Sequence, residues 1–283
     1  MKIIECPRDA MQGLDEFIPT DKKAEYINQL LKVGFDTIDF GSFVSPKAIP
    51  QLRDTVEVLK KLELTNTRSK LLAIVANTRG AEDAAKFDEI TYLGFPLSIS
   101  ETFQQRNTNK SIAEAMRTVS EIQNLCKKHK KVLVTYISMG FGNPYGDPYD
   151  ASIVEKFSAD LAALEIEIIS LADTIGVSQP NQIKYLFETL VPKFSKIEFG
   201  AHLHSNPAKA TEKIEAAFLS GCQRFDGAIK GFGGCPMAED ELVGNLATET
   251  ILNYLSGKNA SPELDQNEFA KALMLADSIF PKH

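Results

Sequence analysis

The sequence is poor in the features that mark membrane, secreted and nucleic-acid-binding proteins. Its four cysteines, Cys6, Cys126, Cys222 and Cys235, have the spacing of neither a disulfide framework nor a zinc motif. Its apolar runs all fall short of the roughly 20 residues that a membrane helix requires. Acidic residues number 38 against 31 lysines and arginines, and the net charge of −7 argues against a surface that neutralises many phosphates. We therefore expect neither a membrane nor a nucleic-acid partner.

The first residues also lack the apolar stretch of a signal peptide, because Met1–Glu5 already has the pattern of a strand. Together with the scattered cysteines, this pattern predicts a protein of the reducing cytoplasm. The composition, 43% hydrophobic and 24% charged, is typical of a globular protein. A chain of 283 residues can bury one large core, so we expect residues 1–283 to form a single domain.

Short β-branched or aromatic segments alternate along the chain with longer segments of helical spacing. In Ile112–His129, for example, apolar side chains recur at intervals of three and four residues. The predicted strands are Lys2–Cys6, Thr37–Gly41, Lys70–Ala76, Ile90–Leu93, Val132–Ser138, Ile166–Leu171, Lys196–His204 and Arg224–Ala228. Other predicted helices are Lys22–Val33, Asp150–Leu164, Gln179–Leu190 and Asn206–Leu219.

Eight strand–helix units predict an α/β fold in which a parallel sheet closes into a (β/α)₈ or TIM barrel. The competing architecture is a doubly wound open sheet. That fold usually has fewer strands, and the first strand here leads into Cys6-Pro7-Arg8-Asp9 instead of a glycine-rich phosphate loop. An extra C-terminal helix near Asn267–Ile279 has no strand after it, and we expect it to lie across one end of the barrel.

Reactive side chains stand at the ends of several predicted strands. In a (β/α)₈ barrel the active site is built where the strands end at their C-termini. We therefore expect these residues to share one site: Arg8 and Asp9 after the first strand, Asp39 and Ser42 at the second, Asp173 and Thr174 after the sixth, His202 and His204 at the seventh, and Asn245 beyond the loop 231–236.

The pair His202 and His204 carries the most information. Alternate residues of a strand point to the same side, so both imidazoles are expected to face the barrel mouth. Two imidazoles with added carboxylate or amide oxygens suit Mn²⁺, Mg²⁺, Co²⁺ or Zn²⁺ with positions open for substrate. The alternative is a hydrogen-bonded surface pair. Because these are two of only four histidines and stand at one strand end, the metal site is the favoured interpretation.

The other polar residues have two interpretations each. Asp9 offers a hard oxygen to a metal and Arg8 a rigid donor fork to an enolate or thioester oxygen, or the two form an ordinary salt bridge. Asp39 and Asp173 either orient metal ligands or cap helices. Cys235 is either a nucleophile on a mobile glycine-rich loop or a small residue at a tight turn.

Six motifs in one order, spread from about residue 2 to residue 250, resemble the 3-hydroxy-3-methylglutaryl-CoA lyases. These enzymes belong to a metal-dependent barrel family that also contains isopropylmalate and homocitrate synthases. The motifs are Pro7-Arg8-Asp9 with Gln12, Ser42-Phe43-Val44-Ser45-Pro46-Lys47, Ser170–Val177, His202-Leu203-His204, Gly231–Pro236 and Gly244–Glu249.

The resemblance implies a divalent cation, Mg²⁺ or Mn²⁺ with Co²⁺ or Zn²⁺ as alternatives, and a retro-Claisen cleavage of 3-hydroxy-3-methylglutaryl-CoA to acetoacetate and acetyl-CoA. The implied metal ligands are Asp9, His202, His204 and Asn245. The implied catalytic residues are Arg8 at the enolate oxygen, Asp9, Asp39, His202 and, on a closing loop, Cys235. Gln12, Ser42, Asp173, Thr174, Gly233 and Gly234 are the implied substrate contacts.

Two residues depart from the family pattern, which has Glu where this chain has Asp39 and Asp where it has Ser205. A carboxylate shorter by one methylene reaches different atoms, and catalytic groups tolerate little slack. The alternatives are therefore the same site acting on another 3-hydroxyacyl-CoA or as a condensing acyltransferase, and a barrel that binds metal or CoA without turnover. Barrels of this kind often dimerise, so a homodimer is a further expectation.

Overall fold

Eight parallel strands close into a barrel in chain order, and the last strand pairs with the first. The structure is a computed structural model that describes residues 1–234 and 243–280. Within these residues the strands are β1 (Lys2–Glu5), β2 (Thr37–Ser42), β3 (Lys70–Ile74), β4 (Ile90–Ser98), β5 (Val132–Ser138), β6 (Ile168–Asp173), β7 (Glu198–Leu203) and β8 (Arg224–Gly227). The predicted TIM barrel and all eight predicted strands are confirmed.

The largest difference in strand length concerns β4, which continues to Ser98 instead of ending at Leu93. Gly94 and Pro96 have the composition of a turn, and this composition hid the second half of the strand. In the structure Tyr92–Ser98 pairs in register with β5, and the missing side chain of Gly94 makes room for Ile74 and Tyr136 inside the barrel.

Helices surround the barrel, and those that lie between successive strands in the chain connect them. In the described residues they are α1 (Pro7–Gln12), α2 (Thr20–Val33), α3 (Thr55–Leu59), α4 (Thr78–Ala85), α5 (Glu101–Thr108), α6 (Ile112–His129), α7 (Ala151–Ala163), α8 (Pro180–Lys193), α9 (Pro207–Leu219), α10 (Thr248–Gly257) and α11 (Gln266–Ile279). None of these combines the length and the hydropathy that a membrane span needs.

Local sequence explains where the longer helices begin. Ser111 and Glu114 form a reciprocal capping box at the start of α6. Asp150 and Asn206 cap α7 and α9 with side-chain oxygens that accept backbone N–H groups. Pro207 then occupies the first turn of α9, where the N–H it lacks would have had no partner within the helix.

The C-terminal helix α11 is present, but the prediction that it lies across one end of the barrel is wrong. It packs along α2 in the outer layer. Phe269 meets Phe35 edge to face at 6.2 Å between ring centroids, and Phe280, just after α11, meets Tyr26 in the same way at 5.6 Å. Pairing along the length of α2 covers its apolar face more completely than an end-on position would.

The barrel interior has two chemically different halves. Inward-facing residues of β3 to β6 form an apolar cluster that we call the apolar half: Leu72, Ile74, Val134, Tyr136 and Ile168. The interior of β7, β8 and β1, which we call the polar half, carries Glu198, His202, Arg224, Asp226 and Cys6. In the sheet His202 lies beside Asp226, and Gly200 lies beside Arg224.

Candidate active site

The first polar residues of the site come from α1, which begins only one residue after β1 ends. Pro7 occupies the first turn of this short helix, so the chain bends over the C-terminal end of the barrel at once. This turn holds Arg8 and Asp9, both buried, and Gln12 above the mouth.

Both histidines face the mouth, His202 from β7 and His204 from the residue that follows it, as their spacing predicted. Their ring centroids lie 5.4 Å apart. Nε2 of His204 lies 4.0 Å from Oδ2 of Asp9, and one ligand atom from each of Asp9, His202 and His204 falls within 4.8 Å of the others. The amide of Asn245 lies 2.7 Å from the same Asp9 oxygen, so the structure brings together all four predicted metal ligands.

The chemistry of this group fits a divalent cation. It combines a carboxylate, an amide and two imidazoles, which are ligands that such cations accept. Burial and the neighbouring His202 lower the pKa of His204 to about 4, so its ring is a neutral donor at neutral pH. Its buried Nδ1 has no hydrogen-bond partner in the described part of the chain. These residues could therefore hold a metal ion.

We call the four candidate metal ligands, Asp9, His202, His204 and Asn245, the metal group. Arg8 joins this group to Asp39. Its Nε and Nη2 donate to the Asp39 carboxylate at 3.0 and 2.5 Å. Its Nη1 donates to Asp9 and to Gln12, at 2.8 Å each. One guanidinium thus serves two buried carboxylates, and Gln12 completes the ring by donating to Asp9 at 2.7 Å.

The two carboxylates that share Arg8 have very different pKa values. Burial raises the pKa of both, but Arg8 and the two imidazoles overcome this effect at Asp9 and lower its pKa to about 2. At Asp39 burial prevails over Arg8, and the pKa rises to about 6. Pairs of acids separated in this way are typical of catalytic sites, where groups of one chemical type need different charge states.

The carboxylate of Asp226 supports His202 from inside the barrel. Nδ1 of His202 lies 3.1 Å from Oδ2 of Asp226, which is fully buried on β8. Burial lowers the pKa of His202, but the hydrogen bond and charge of Asp226 raise it above its ordinary value. A carboxylate behind an imidazole fixes the ring orientation and tautomer of a metal ligand.

A cavity of ≈ 320 Å³ opens beside this group. Arg8, Asp9 and both histidines line one side. The rest of its lining includes Gln12, Tyr136, Ser138, Thr174 and Arg106, and an apolar wall formed by Val44, Ile49, Ile74, Pro96 and Phe103. The size and the mixed wall suit a small acyl group that carries a few polar atoms.

A second cavity, of ≈ 290 Å³, lies on the other side of Asn245. Gly233 and Gly234 line it, together with Ser205 and Lys230. Gly233 has φ +95°, and a Cβ there would lie 2.7 Å from the carbonyl oxygen of Asp9 and 2.9 Å from the amide of Asn245. Only glycine allows the chain to pass so close to the metal group. Cys235 lies outside the described residues.

Three predicted site residues of the described chain, Asp39, Asp173 and Ser42, line neither of these two cavities. Asp39 lies behind Arg8 and contacts it with both oxygens, so the shorter side chain still reaches its partner. Asp173 accepts hydrogen bonds from Lys213 at 2.9 Å and from Ser178 at 2.5 Å, and is directed away from the mouth. The hydroxyl of Ser42 accepts the backbone N–H of Val44.

The other departure, Ser205, is buried, and its hydroxyl donates to the backbone carbonyl of Asn206. It contributes no charge to the metal group.

The sequence analysis missed Tyr136, Ser138, Asp226 and Arg106. Tyr136 and Ser138 stand at the C-terminal end of β5 with alternate spacing, the same signal that identified the histidines. Asp226 on β8 shows the same signal. Arg106 lies on α5, a helix that was not predicted, although Ser100 before it is a typical N-cap residue.

The closed barrel, with a cation-binding group and an arginine at its C-terminal mouth, is that of a (β/α)₈-barrel enzyme. The sequence model of the HMGL-like family matches residues 2–275. The chain belongs to this family, which confirms the resemblance drawn from the motifs and the prediction of a lyase.

Three relatives illustrate the likeness. The hydroxymethylglutaryl-CoA lyase of Bacillus subtilis is 34% identical over 88% of this chain and 82% of its own. The 3-hydroxy-3-isohexenylglutaryl-CoA/hydroxy-methylglutaryl-CoA lyase of Pseudomonas aeruginosa is 30% identical over 96% and 90%. A solved HMG-CoA lyase from Acinetobacter baumannii, in complex with coenzyme A and 3-methylmalate, superposes with a TM-score of 0.91 at 30% identity, covering 99% of this chain and 90% of that one.

Proposed function

We propose that the protein cleaves 3-hydroxy-3-methylglutaryl-CoA to acetoacetate and acetyl-CoA. The observation that carries the proposal is the group of Asp9, His202 and His204, which stands beside Arg8 at the wall of an acyl-sized cavity. Relatives that share about a third of the sequence and nearly the whole fold are lyases of this substrate.

Asp9, His202, His204 and Asn245 would hold the cation, for which we propose Mg²⁺ or Mn²⁺. The carboxylate and the amide offer oxygens, which these two ions prefer, and the two imidazoles leave Co²⁺ or Zn²⁺ as the alternatives. When bound, the ion would lower the pKa of the tertiary hydroxyl of the substrate and neutralise charge on a neighbouring oxygen.

Arg8 is placed to bind the oxygen that becomes an enolate. A guanidinium has five N–H groups, and within the described residues Asp39, Asp9 and Gln12 take four of those of Arg8. One N–H on Nη2 remains for an oxygen in the cavity that Arg8 lines. A donor held in advance at such an oxygen stabilises the transition state without reorganising.

The reaction also needs a base for the hydroxyl proton. Asp9 lines the cavity, whereas Asp39 does not, so we assign the proton transfer to Asp9 and give Asp39 the task of positioning Arg8. Both ring nitrogens of His202 would be engaged, one at the cation and Nδ1 at Asp226. Removal of the proton lets the C–C bond break to a ketone, and the acetyl-CoA enolate then takes up a proton. Asp173 contributes by holding Lys213, which also donates to the carbonyl of His204.

Gln12 and Thr174 line the cavity and are proposed substrate contacts, while Gly233 and Gly234 border the second cavity. The A. baumannii relative binds coenzyme A, which supports an acyl-CoA substrate here. We further propose a cytoplasmic enzyme, on the ground of the scattered cysteines, and a homodimer.

The test is cleavage of 3-hydroxy-3-methylglutaryl-CoA by purified, EDTA-treated protein with and without added Mg²⁺ or Mn²⁺. We expect equal amounts of acetoacetate and acetyl-CoA, only with the metal. The matched control is His204→Ala. Metal-dependent cleavage of another 3-hydroxyacyl-CoA in place of this one would assign a different substrate, and bound metal without turnover of any of them would contradict the proposal.

A further inference from the structure

Arg224 is a fully buried cation inside the barrel. It lies on β8 and is 0% exposed. Its guanidinium has no hydrogen-bond partner in residues 1–234 and 243–280. The nearest carboxylate oxygens are Oε1 of Glu198, 3.6 Å from Nη1, and Oδ1 of Asp226, 3.8 Å from Nε. At these distances the contacts are electrostatic, and ordered water is the usual partner of such groups.

An arginine in this place is expensive for the fold. It remains charged at any physiological pH, and moving a charge out of water is unfavourable even when the charge is paired. The backbone also makes room for it, because a Cβ on Gly200 of β7 would lie 3.0 Å from Cδ of Arg224. On the other side of the barrel, inward-facing positions are occupied by the apolar side chains of Leu72, Val134 and Ile168. Apolar filling is thus available to this barrel, so the charge calls for a reason other than packing.

The position of Arg224 supplies that reason. Arg224 and Asp226 are two residues apart on one strand, so both face the interior. One oxygen of Asp226 faces Arg224, and the other contacts Nδ1 of His202 at 3.1 Å. Arg224 therefore lies on one side of the Asp226 carboxylate and His202 on the other, nearer the barrel mouth.

We propose that Arg224 is a positioning residue for the metal group: it holds Asp226, which in turn fixes the ring of His202. The inference rests on the proposed role of His202 as a metal ligand. Partners behind a metal ligand set its orientation, and their loss usually weakens metal binding about 10- to 100-fold. Arg224 stands one contact further away, so we place its effect near the lower value, about tenfold.

A merely structural buried ion pair exists elsewhere in the chain and provides a control. Lys23 on α2 is as deeply buried, and its Nζ donates to Asp54 at 2.6 Å. It packs over the ring of Phe17 and lines neither cavity described above. Removing this charge should lower stability without changing the metal group.

The experiment measures Mn²⁺ affinity by electron paramagnetic resonance on metal-free protein, with folding checked by circular dichroism. Arg224→Met should bind Mn²⁺ about tenfold more weakly, whereas Lys23→Met should bind it like the wild type. Arg224→Lys, which keeps a positive charge on a shorter side chain, should recover part of the affinity. The double variant Glu198→Gln/Arg224→Met removes both charges of one pair. Its Mn²⁺ affinity is measured instead if Arg224→Met does not fold.

Two results would overturn the inference. If His202→Ala weakens Mn²⁺ binding but Arg224→Met and the double variant leave it within twofold of the wild type, Arg224 has only a structural role. If His202→Ala itself leaves Mn²⁺ binding unchanged, the proposed metal site is wrong, and the inference falls with it. The two failures are therefore distinguishable.

Discussion

The two halves of the barrel interior occupy equivalent positions in the fold but differ in polarity and charge. In the apolar half, Leu72, Val134 and Ile168 fill space with side chains that need no partner. In the polar half, Arg224 and Asp226 replace such filler with buried charges. The comparison separates side chains that fill the interior, such as Leu72 and Ile168, from buried charges that the fold maintains at a cost.

The boundary between the halves coincides with the cavity. Tyr136 belongs to the apolar cluster, yet its ring meets that of His202 edge to face at 5.5 Å. The apolar wall then continues upward through Ile74 into the cavity. A substrate in this cavity would thus have its reacting polar atoms on one side and its apolar surface on the other.

The largest effect should come from removing a metal ligand of the polar half. His204→Ala should weaken Mn²⁺ binding by more than about 100-fold, because even partners behind a ligand are worth 10- to 100-fold. Turnover should fall with it. Isothermal titration with Mn²⁺ measures the first effect and an acetoacetate assay the second. The matched change in the apolar half, Ile168→Val, should alter neither, and unchanged metal content in His204→Ala would refute the site.

Asp39 tests whether Arg8 depends on its second carboxylate. Below pH about 6 Asp39 takes up a proton and loses its charge, so kcat/KM should fall as pH drops through that value and be full above it. Asp39→Asn should lower kcat about 100-fold, the usual effect of misplacing a catalytic group by about 1 Å, and should lack this acidic limb. A pH–rate profile checks both. A limb near pH 6 that persists in Asp39→Asn would assign it to another group.

A large-to-small change in the apolar half should affect stability and leave chemistry alone. Leu72 is fully buried and lines neither cavity described above. Leu72→Ala should lower the free energy of unfolding by about 2–5 kcal/mol, through lost burial and the cavity it leaves. Urea unfolding measures this loss. With folded protein in the assay kcat should match the wild type, and a fall in kcat of tenfold or more would show that the halves are coupled.

Most of the barrel was predictable from the sequence because its signals are local. Strand–helix alternation predicted eight strands, and apolar spacing predicted helices such as Ile112–His129. The position of α11 was not predictable in this way, since it depends on a surface of α2 that is more than 200 residues away in sequence. Pattern analysis gives the existence of such a helix but not its partner.

In the candidate site, too, the features with local signals were predictable and the others were not. Position at strand ends identified Asp9, His202 and His204, which the structure brings together. Asp173 is the last residue of β6 and points to the side opposite Ala172, toward Lys213, but the predicted strand ended at Leu171, so the alternation was not extended to it. The contact between His202 and Asp226 depends on the register of β7 against β8, which no single segment encodes.

Glu5 sharpens the comparison, because it is a buried acid near Asp9 in sequence but without an arginine beside it. It is fully buried and accepts hydrogen bonds from Thr248 at 2.6 Å and from the backbone N–H of Ile229 at 2.9 Å. Burial raises the pKa of Glu5 to about 8, whereas Arg8 helps to keep that of Asp9 at about 2. Between these two buried acids, the cation beside Asp9 accounts for the difference in charge.

The consequence is a pH dependence of stability that a single substitution should remove. Between pH about 4.5 and about 8 Glu5 is neutral in the folded protein and ionised in the unfolded chain. The unfolded state then binds fewer protons, so stability falls as pH rises, by at most about 1.4 kcal/mol per pH unit. Glu5→Gln cannot titrate, and its urea midpoint should gain on the wild type from pH 5 to pH 8. Thr248→Val, which loses the hydrogen bond but keeps the acid, should be less stable with the slope retained. Equal slopes in Glu5→Gln and the wild type would show that Glu5 is charged inside the fold, and that burial beside the barrel wall does not by itself neutralise an acid.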